Sequence, residues 1–178
     1  MRKVVAGGFM SLDGVVEAPD EFITDWDEAI DGNIGRLIAT QDAVFLGRRT
    51  YDDWVEFWPS SDIDPFASFI NGVEKFVVTS TQPEVTWSHT TVINGGLIDV
   101  LTEMKQRPGG DIGVHGSIAL TQSLLVSGLV DELRLTVAPV LQGRGRKLYD
   151  GETSKRLALT RSITSPSGSL LFDFQVRN

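Results

Sequence analysis

The chain has 178 residues, 41% of them apolar, enough for one sizeable core. Its 24 acidic against 16 basic side chains give a formal charge of −8, which opposes attraction to nucleic acid or an anionic membrane, so any polyanion site must be local. With no cysteine there are no disulfides, no thiolate metal sites and no Cys nucleophile, and two histidines alone argue against a zinc site.

The first strand is expected over residues 3–10, apolar and small as in a strand buried on both faces, with an Asp13-Gly14 turn before Val15 and Val16. No basic-then-apolar leader opens the chain and no run approaches the ~20 apolar residues of a membrane span, so the expectation is a single cytoplasmic domain over 1–178. A loop starts at Pro19-Asp20. From Asp27, the residues Ile30, Ile34, Leu37 and Ile38 form a helical stripe that should end near Gln41. A buried strand, 43–46, follows at once, and residues 52–73, broken by Pro59 and Pro65, suggest two short helices around a loop.

Lys75 to Val78 reads as another buried strand, and a further short one lies within 87–93. Leu97, Ile98, Leu101 and Met104 mark a helix that Pro108-Gly109-Gly110 stops; Ile112-Gly113-Val114 is a short strand, and an apolar helix runs from Ile118 to Val126. After Gly128 the period changes to two, with Leu133, Leu135, Val137, Pro139 and Leu141 on one side of an extended strand. Residues 157–164 and 169–177 flank Ser165-Pro166-Ser167-Gly168 as a hairpin. The chain is therefore α/β first and antiparallel last.

Three buried strands run into small, hydroxylated or basic residues: Gly47-Arg48-Arg49-Thr50, Thr79-Ser80-Thr81, and His115-Gly116-Ser117. In an open α/β sheet, ligands lie outside the carboxyl ends of the strands, so these loops would converge on one crevice. Gly47 to Thr50, ahead of the helix-compatible Asp52 to Glu56, joins two guanidinium groups to a helix-capping hydroxyl, which suits an anion such as a cofactor phosphate. The plainer reading is a surface turn with solvated arginines. Thr79 to Thr81 is equally a turn or a ligand contact, Ser117 equally an N-cap, and His115 a packed histidine.

Asp13, in Ser11-Leu12-Asp13-Gly14, would orient a polar substrate or assist proton transfer if burial raised its pKa; otherwise it is an Asp-Gly turn. Trp26, Trp54 and Trp58 either border a flat ligand or anchor the core. Gly143-Arg144-Gly145-Arg146-Lys147 is a solvated turn, a phosphate contact or a subunit interface. Neither a dinucleotide fingerprint, a P-loop nor a Gly-x-Ser-x-Gly elbow occurs.

Ser11-Leu12-Asp13-Gly14, Phe45 to Tyr51, Gly113 to Ser117, and Val130 to Leu135 with Pro139 and Gly143, taken in order, resemble the dihydrofolate-reductase-like proteins related to the C-terminal reductase domain of bacterial riboflavin biosynthesis. That resemblance implies an α/β fold with a three-layer mixed sheet flanked by helices and a C-terminal antiparallel hairpin. It implies NADPH across the strand ends, hydride transfer to a C=N or C=O bond of a small, pterin- or pyrimidine-like substrate, and a homodimer. Gly47, Arg48, Arg49 and Thr50 would hold cofactor phosphates, one arginine meeting the 2′-phosphate. Thr79, Ser80 and Thr81 would lie at the adenosine, and Gly116, Ser117, Ile118 and Ala119 at the pyrophosphate. Asp13 would face the nicotinamide and substrate, beside Trp26 and Trp54. No metal is expected. The rival expectation is a nucleotide-binding protein that keeps this fold without turnover.

Overall fold

The computed structural model describes residues 1–177. Eight strands form one sheet in the order β4-β3-β2-β5-β1-β6-β8-β7. They are β1 (Val4–Ser11), β2 (Gln41–Gly47), β3 (Glu74–Val78), β4 (Thr90–Ile93), β5 (Asp111–His115), β6 (Glu132–Ala138), β7 (Arg156–Thr164) and β8 (Leu170–Arg177). The first six pair in parallel, whereas β8 is antiparallel to both β6 and β7. The helices are α1 (Glu28–Ile38), α2 (Arg48–Phe57), α3 (Phe66–Gly72), α4 (Leu97–Gln106) and α5 (Ile118–Val126).

Alternation along the central strands builds the three layers. Val4, Ala6, Ala43 and Phe45 pack with Leu101 and Met104 of α4 and Leu120, Leu124 and Leu125 of α5 on one face. Val5, Val44 and Leu46 point the other way, Val5 toward Leu37 and Ile38 of α1, the other two toward Tyr51 and Val55 of α2 and Ile70 of α3. Strands covered on both faces read as continuous apolar runs, which is why 3–10 and 43–46 lack a period of two.

Three boundaries differ from expectation by three residues or more. α1 ends at Ile38, because Gln41 already belongs to β2 and its side-chain amide donates back to the Leu37 carbonyl at 3.0 Å. α2 starts at Arg48, four residues before Asp52, with Gly47 at its N-cap. β6 stops at Ala138, so the periodic Pro139 and Leu141 lie in the following loop, where Leu141 is exposed.

Candidate functional site

Because β1, β2, β3 and β5 run parallel, their carboxyl-terminal loops share one edge of the sheet. The loops after β2 and β5 are bolted together by one hydroxyl. Ser117 Oγ accepts from the Gly47 backbone N–H at 2.7 Å and donates to Thr50 Oγ1 at 2.9 Å, and Thr50 donates in turn to the Gly116 carbonyl at 3.1 Å. Ser117 and Thr50 are both buried. Thr50 is thus no cap, and Ser117, though at the N-cap position of α5, makes no side-chain cap bond. Neither α2 nor α5 has its N-terminal donors occupied by a side-chain cap. Two helix N-termini that stay uncapped are held side by side, an arrangement that favours an anion.

Gly116 makes that approach feasible. Its φ of +62° lies in the left-handed region, and a Cβ there would stand 2.7 Å from Trp54 Cζ2 and 2.9 Å from Thr50 Cγ2. The same glycine ends the pairing of β5 with β1, which covers only Val4 to Gly7. From Gly8 to Ser11, β1 is paired with β6 alone, so the two strands part beside Gly116. This opening was missed from sequence; the adjacent Gly7 and Gly8 were its one local trace.

The two arginines separate clearly. Arg48 donates from Nε to both Asp52 oxygens at 2.8 and 2.7 Å, and from Nη1 to Thr81 Oγ1 at 2.7 Å. It staples the start of α2 to the loop after β3, where Thr79 Oγ1 accepts from the Thr81 N–H at 3.2 Å and Ser80 is exposed. Arg49 is exposed, and its side chain has no hydrogen bond or ion pair among the described residues.

Asp13 departs from its expectation. Its Oδ1 accepts from Ser11 Oγ at 2.6 Å and from the Gln142 N–H at 2.9 Å, and its Oδ2 from the Gly143 N–H at 2.8 Å. The Ser11 hydroxyl, then those two amides, hold its carboxyl down to about 2, so the raised pKa required of a proton donor is not found. Asp13 ties the end of β1 to the loop after β6. Leu12 N–H to the Val140 carbonyl, Val16 N–H to that of Arg146, and the Val15–Lys147 bridge extend the same seam.

The tryptophans belong to different clusters. Trp26 is exposed, lies 5.5 Å from the Phe9 ring and donates from Nε1 to Asp31 at 2.7 Å. Trp54 packs edge-on against Trp58 and Phe66, over Gly116. Asp27, in the acidic stretch between them, caps α1 through Oδ1 and accepts from Ser167 N–H through Oδ2. Burial works against its charge, but the donors of Ser167, Ile30 and Ser165 outweigh this and hold it down to about 2. His115 is buried with its Nε2 2.7 Å from Gln41 Oε1 and its ring edge-on to Phe66 and Phe69; burial lowers its pKa to about 4. It is a packed, neutral histidine. Among the described residues no cluster of His, Asp and Glu could hold a metal, and no helix is long and apolar enough to cross a membrane.

The chain matches the RibD C-terminal domain family model over residues 2–171, and it belongs to that family. It is 27% identical over 175 residues to the uncharacterized protein YyaP of Bacillus subtilis (strain 168), covering 94% of this chain and 91% of that protein. Among solved structures it is similar to a pyrimidine reductase-like protein from Corynebacterium diphtheriae, at 15% identity and a TM-score of 0.70, over 99% of this chain and 92% of that one. It is also similar to dihydrofolate reductase from Enterococcus faecalis, a structure complexed with NADP(H), at 15% identity and a TM-score of 0.59, over 98% and 94% of the two chains. The solved structures share the dihydrofolate-reductase-like fold with this chain, and membership of the RibD C-terminal domain family supports a reductase-type function.

Proposed function

We propose that this chain is a single-domain, NADPH-dependent reductase that transfers hydride to a C=N or C=O bond of a small, pterin- or pyrimidine-like substrate. The observation that carries the reading is the Ser117 bolt, which sets two uncapped helix N-termini beside the unpaired Arg49. That donor set fits a dinucleotide: backbone N–H groups of Arg48 to Thr50 and of Ile118 and Ala119 would take the pyrophosphate. Thr79, Ser80 and Thr81 would border the adenosine, and Arg49, carrying an unneutralised charge, would take the 2′-phosphate.

When bound, the reduced nicotinamide would supply the hydride; the protein supplies position and electrostatics. Gly8 to Ser11, without a strand on the β5 side, would meet the nicotinamide end, with Trp26 and Trp54 flanking the substrate. Asp13 would act by fixing the loop that carries Gln142 and Gly143. Its carboxylate stays ionised at neutral pH, which favours water over Asp13 as the proton source. The reading also has the enzyme cytoplasmic, homodimeric and indifferent to nucleic acid, in keeping with its charge of −8.

Calorimetric titration with NADPH and a turnover screen over pterins, pyrimidines and carbonyl compounds test it together. Binding with oxidation of NADPH is expected. No binding at millimolar NADPH overturns the reading, and binding without turnover across the panel favours the rival of a nucleotide-binding protein that has kept the fold. The commitment of the Asp13 carboxylate to three donors is the observation on that rival's side.

A further inference from the structure

The charge of −8 is unevenly placed along the chain. Residues 4–35 carry eight carboxylates and residues 50–74 carry six, and neither stretch holds a Lys, Arg or His. The other ten acidic and all 16 basic side chains lie elsewhere, so the net charge divides into −14 on these two stretches and +6 on the rest.

The fold sets the two stretches on opposite sides of the place where β1 and β5 part. On one side Phe9 of β1 meets Trp26, whose Nε1 donates to the exposed Asp31 of α1. On the other, Trp54 lies over Gly116 and, with Trp58, packs on Phe66. The sides join where Phe66 and Phe69 pack against Val5, Leu37 and Ile38, and where a Cβ at Gly35 would lie 3.7 Å from Pro65. Asp25 and Asp31 beside Trp26, and Asp62 and Asp64 leading into Pro65 and Phe66, are all exposed. The cations next to these stretches are engaged elsewhere: Arg36 pairs with Asp173 at 2.8 Å and Arg48 with Asp52 at 2.7 Å, while Arg49 stands at the proposed phosphate end. Among the described residues the carboxylates form no group able to hold a metal, so what they exert is a field. One exposed carboxylate is largely screened by salt, but several of one sign beside low-dielectric aromatic walls add and are focused.

We propose that the substrate is a neutral or cationic planar heterocycle bearing no phosphate or carboxylate group, selected by this negative field over the parting of β1 and β5. The inference rests on the reductase reading and narrows its substrate class. An anionic group on the substrate would enter between two walls of its own sign, with no guanidinium or ammonium from either stretch to meet it. A neutral ring meets no such cost. A protonated one is attracted by the carboxylates and by the faces of Trp26 and Trp54. Arg144, Arg146 and Lys147, whose side chains have no partner among the described residues, sit across the Asp13 seam, on the loop after β6.

The oxidised cofactor probes the field, because its nicotinamide ring is cationic whereas that of NADPH is neutral. In calorimetric titrations, the ratio of NADP+ to NADPH affinity should fall about two- to fivefold in the Asp25→Asn, Asp31→Asn double variant, as for unit charges roughly 10 Å apart near a surface. The change at 31 keeps an oxygen acceptor for the Trp26 Nε1–H. Glu103→Gln, the same charge change on α4 across the sheet, should leave the ratio unchanged. In a second arm, the NADP+-saturated chain is titrated with 6-hydroxymethylpterin against pterin-6-carboxylate, and with uridine against uridine 5′-monophosphate. The uncharged member of a pair should bind about tenfold more tightly or better, by a margin that narrows as salt is added. Tighter binding of a charged member overturns the proposal, and its loss in the Arg144→Ser, Arg146→Ser, Lys147→Ser triple variant would assign the anion to that loop. A ratio that the double variant does not move also overturns it, whichever members of the pairs bind. Failure of both cofactors to bind is a different result, since it removes the reductase reading itself.

Discussion

Adjacent residues of one type, Arg48 and Arg49, receive different work from the fold. The Arg48 guanidinium is spent on Asp52 and Thr81, which fixes the loop bordering the proposed adenosine site and cancels its charge locally. Arg49 has no such partner and keeps its charge available. Arg49→Ala should therefore weaken NADPH binding about 10- to 100-fold, the worth of one charge-assisted hydrogen-bond set, while NADH affinity changes little. Arg48→Ala should weaken both cofactors by the same factor, because it releases Thr81 rather than a phosphate contact. Parallel calorimetric titrations of the two variants with the two cofactors decide it. Selective loss of NADPH at position 48 would transfer the 2′-phosphate to that side chain.

Between elements, the bolt at Ser117 shows what sequence conveys and what it hides. The strand ends at 47, 78 and 115 and the glycine and hydroxyl residues after them are local patterns, and they were readable because buried strands need apolar runs and helix starts need special backbone. The start of α2 was not readable. Thr50 has the chemistry of a cap, yet its hydroxyl is taken by Ser117 and Gly116, more than 60 residues away in sequence. The Asp13 contacts to Gln142 and Gly143 span 129 and 130 residues, so only the Ser11 hydroxyl, two residues away, lay within reach of a local pattern. Ser117→Ala tests the bolt as a joint between elements. It strands the Gly47 N–H and should cost about 1–3 kcal/mol in denaturant unfolding. It should also weaken NADPH and NADH alike, since the two helix N-termini lose their fixed spacing. A stability loss with unchanged cofactor affinity would detach the bolt from the proposed site.

For the molecule as a whole, the ionisable groups divide the acid range into two windows. Asp13 and Asp27, held down to about 2 by their donors, contribute stability that is present above the ordinary carboxylate pKa near 4 and is lost as pH falls toward 2. His115 acts earlier and by the opposite chemistry. Its ring is buried between Gln41, Phe66 and Phe69, so the folded chain takes up its proton only near pH 4, whereas the unfolded chain does so near 6.5. Between those values the unfolded state binds more protons, and stability must fall as pH is lowered, by about 1.4 kcal/mol per pH unit and on the order of 3 kcal/mol in all. His115→Asn removes the titration while keeping a side chain able to hydrogen bond. Urea unfolding at steps from pH 6.5 to 4.5 should therefore show a slope for the unmodified chain exceeding that of the variant by up to one proton. The variant's lower stability at neutral pH, from lost packing, does not enter a comparison of slopes. Parallel lines across that window would mean that the ring is charged or wet in the folded protein, and the layer between α3 and β5 would then not be the dry core described.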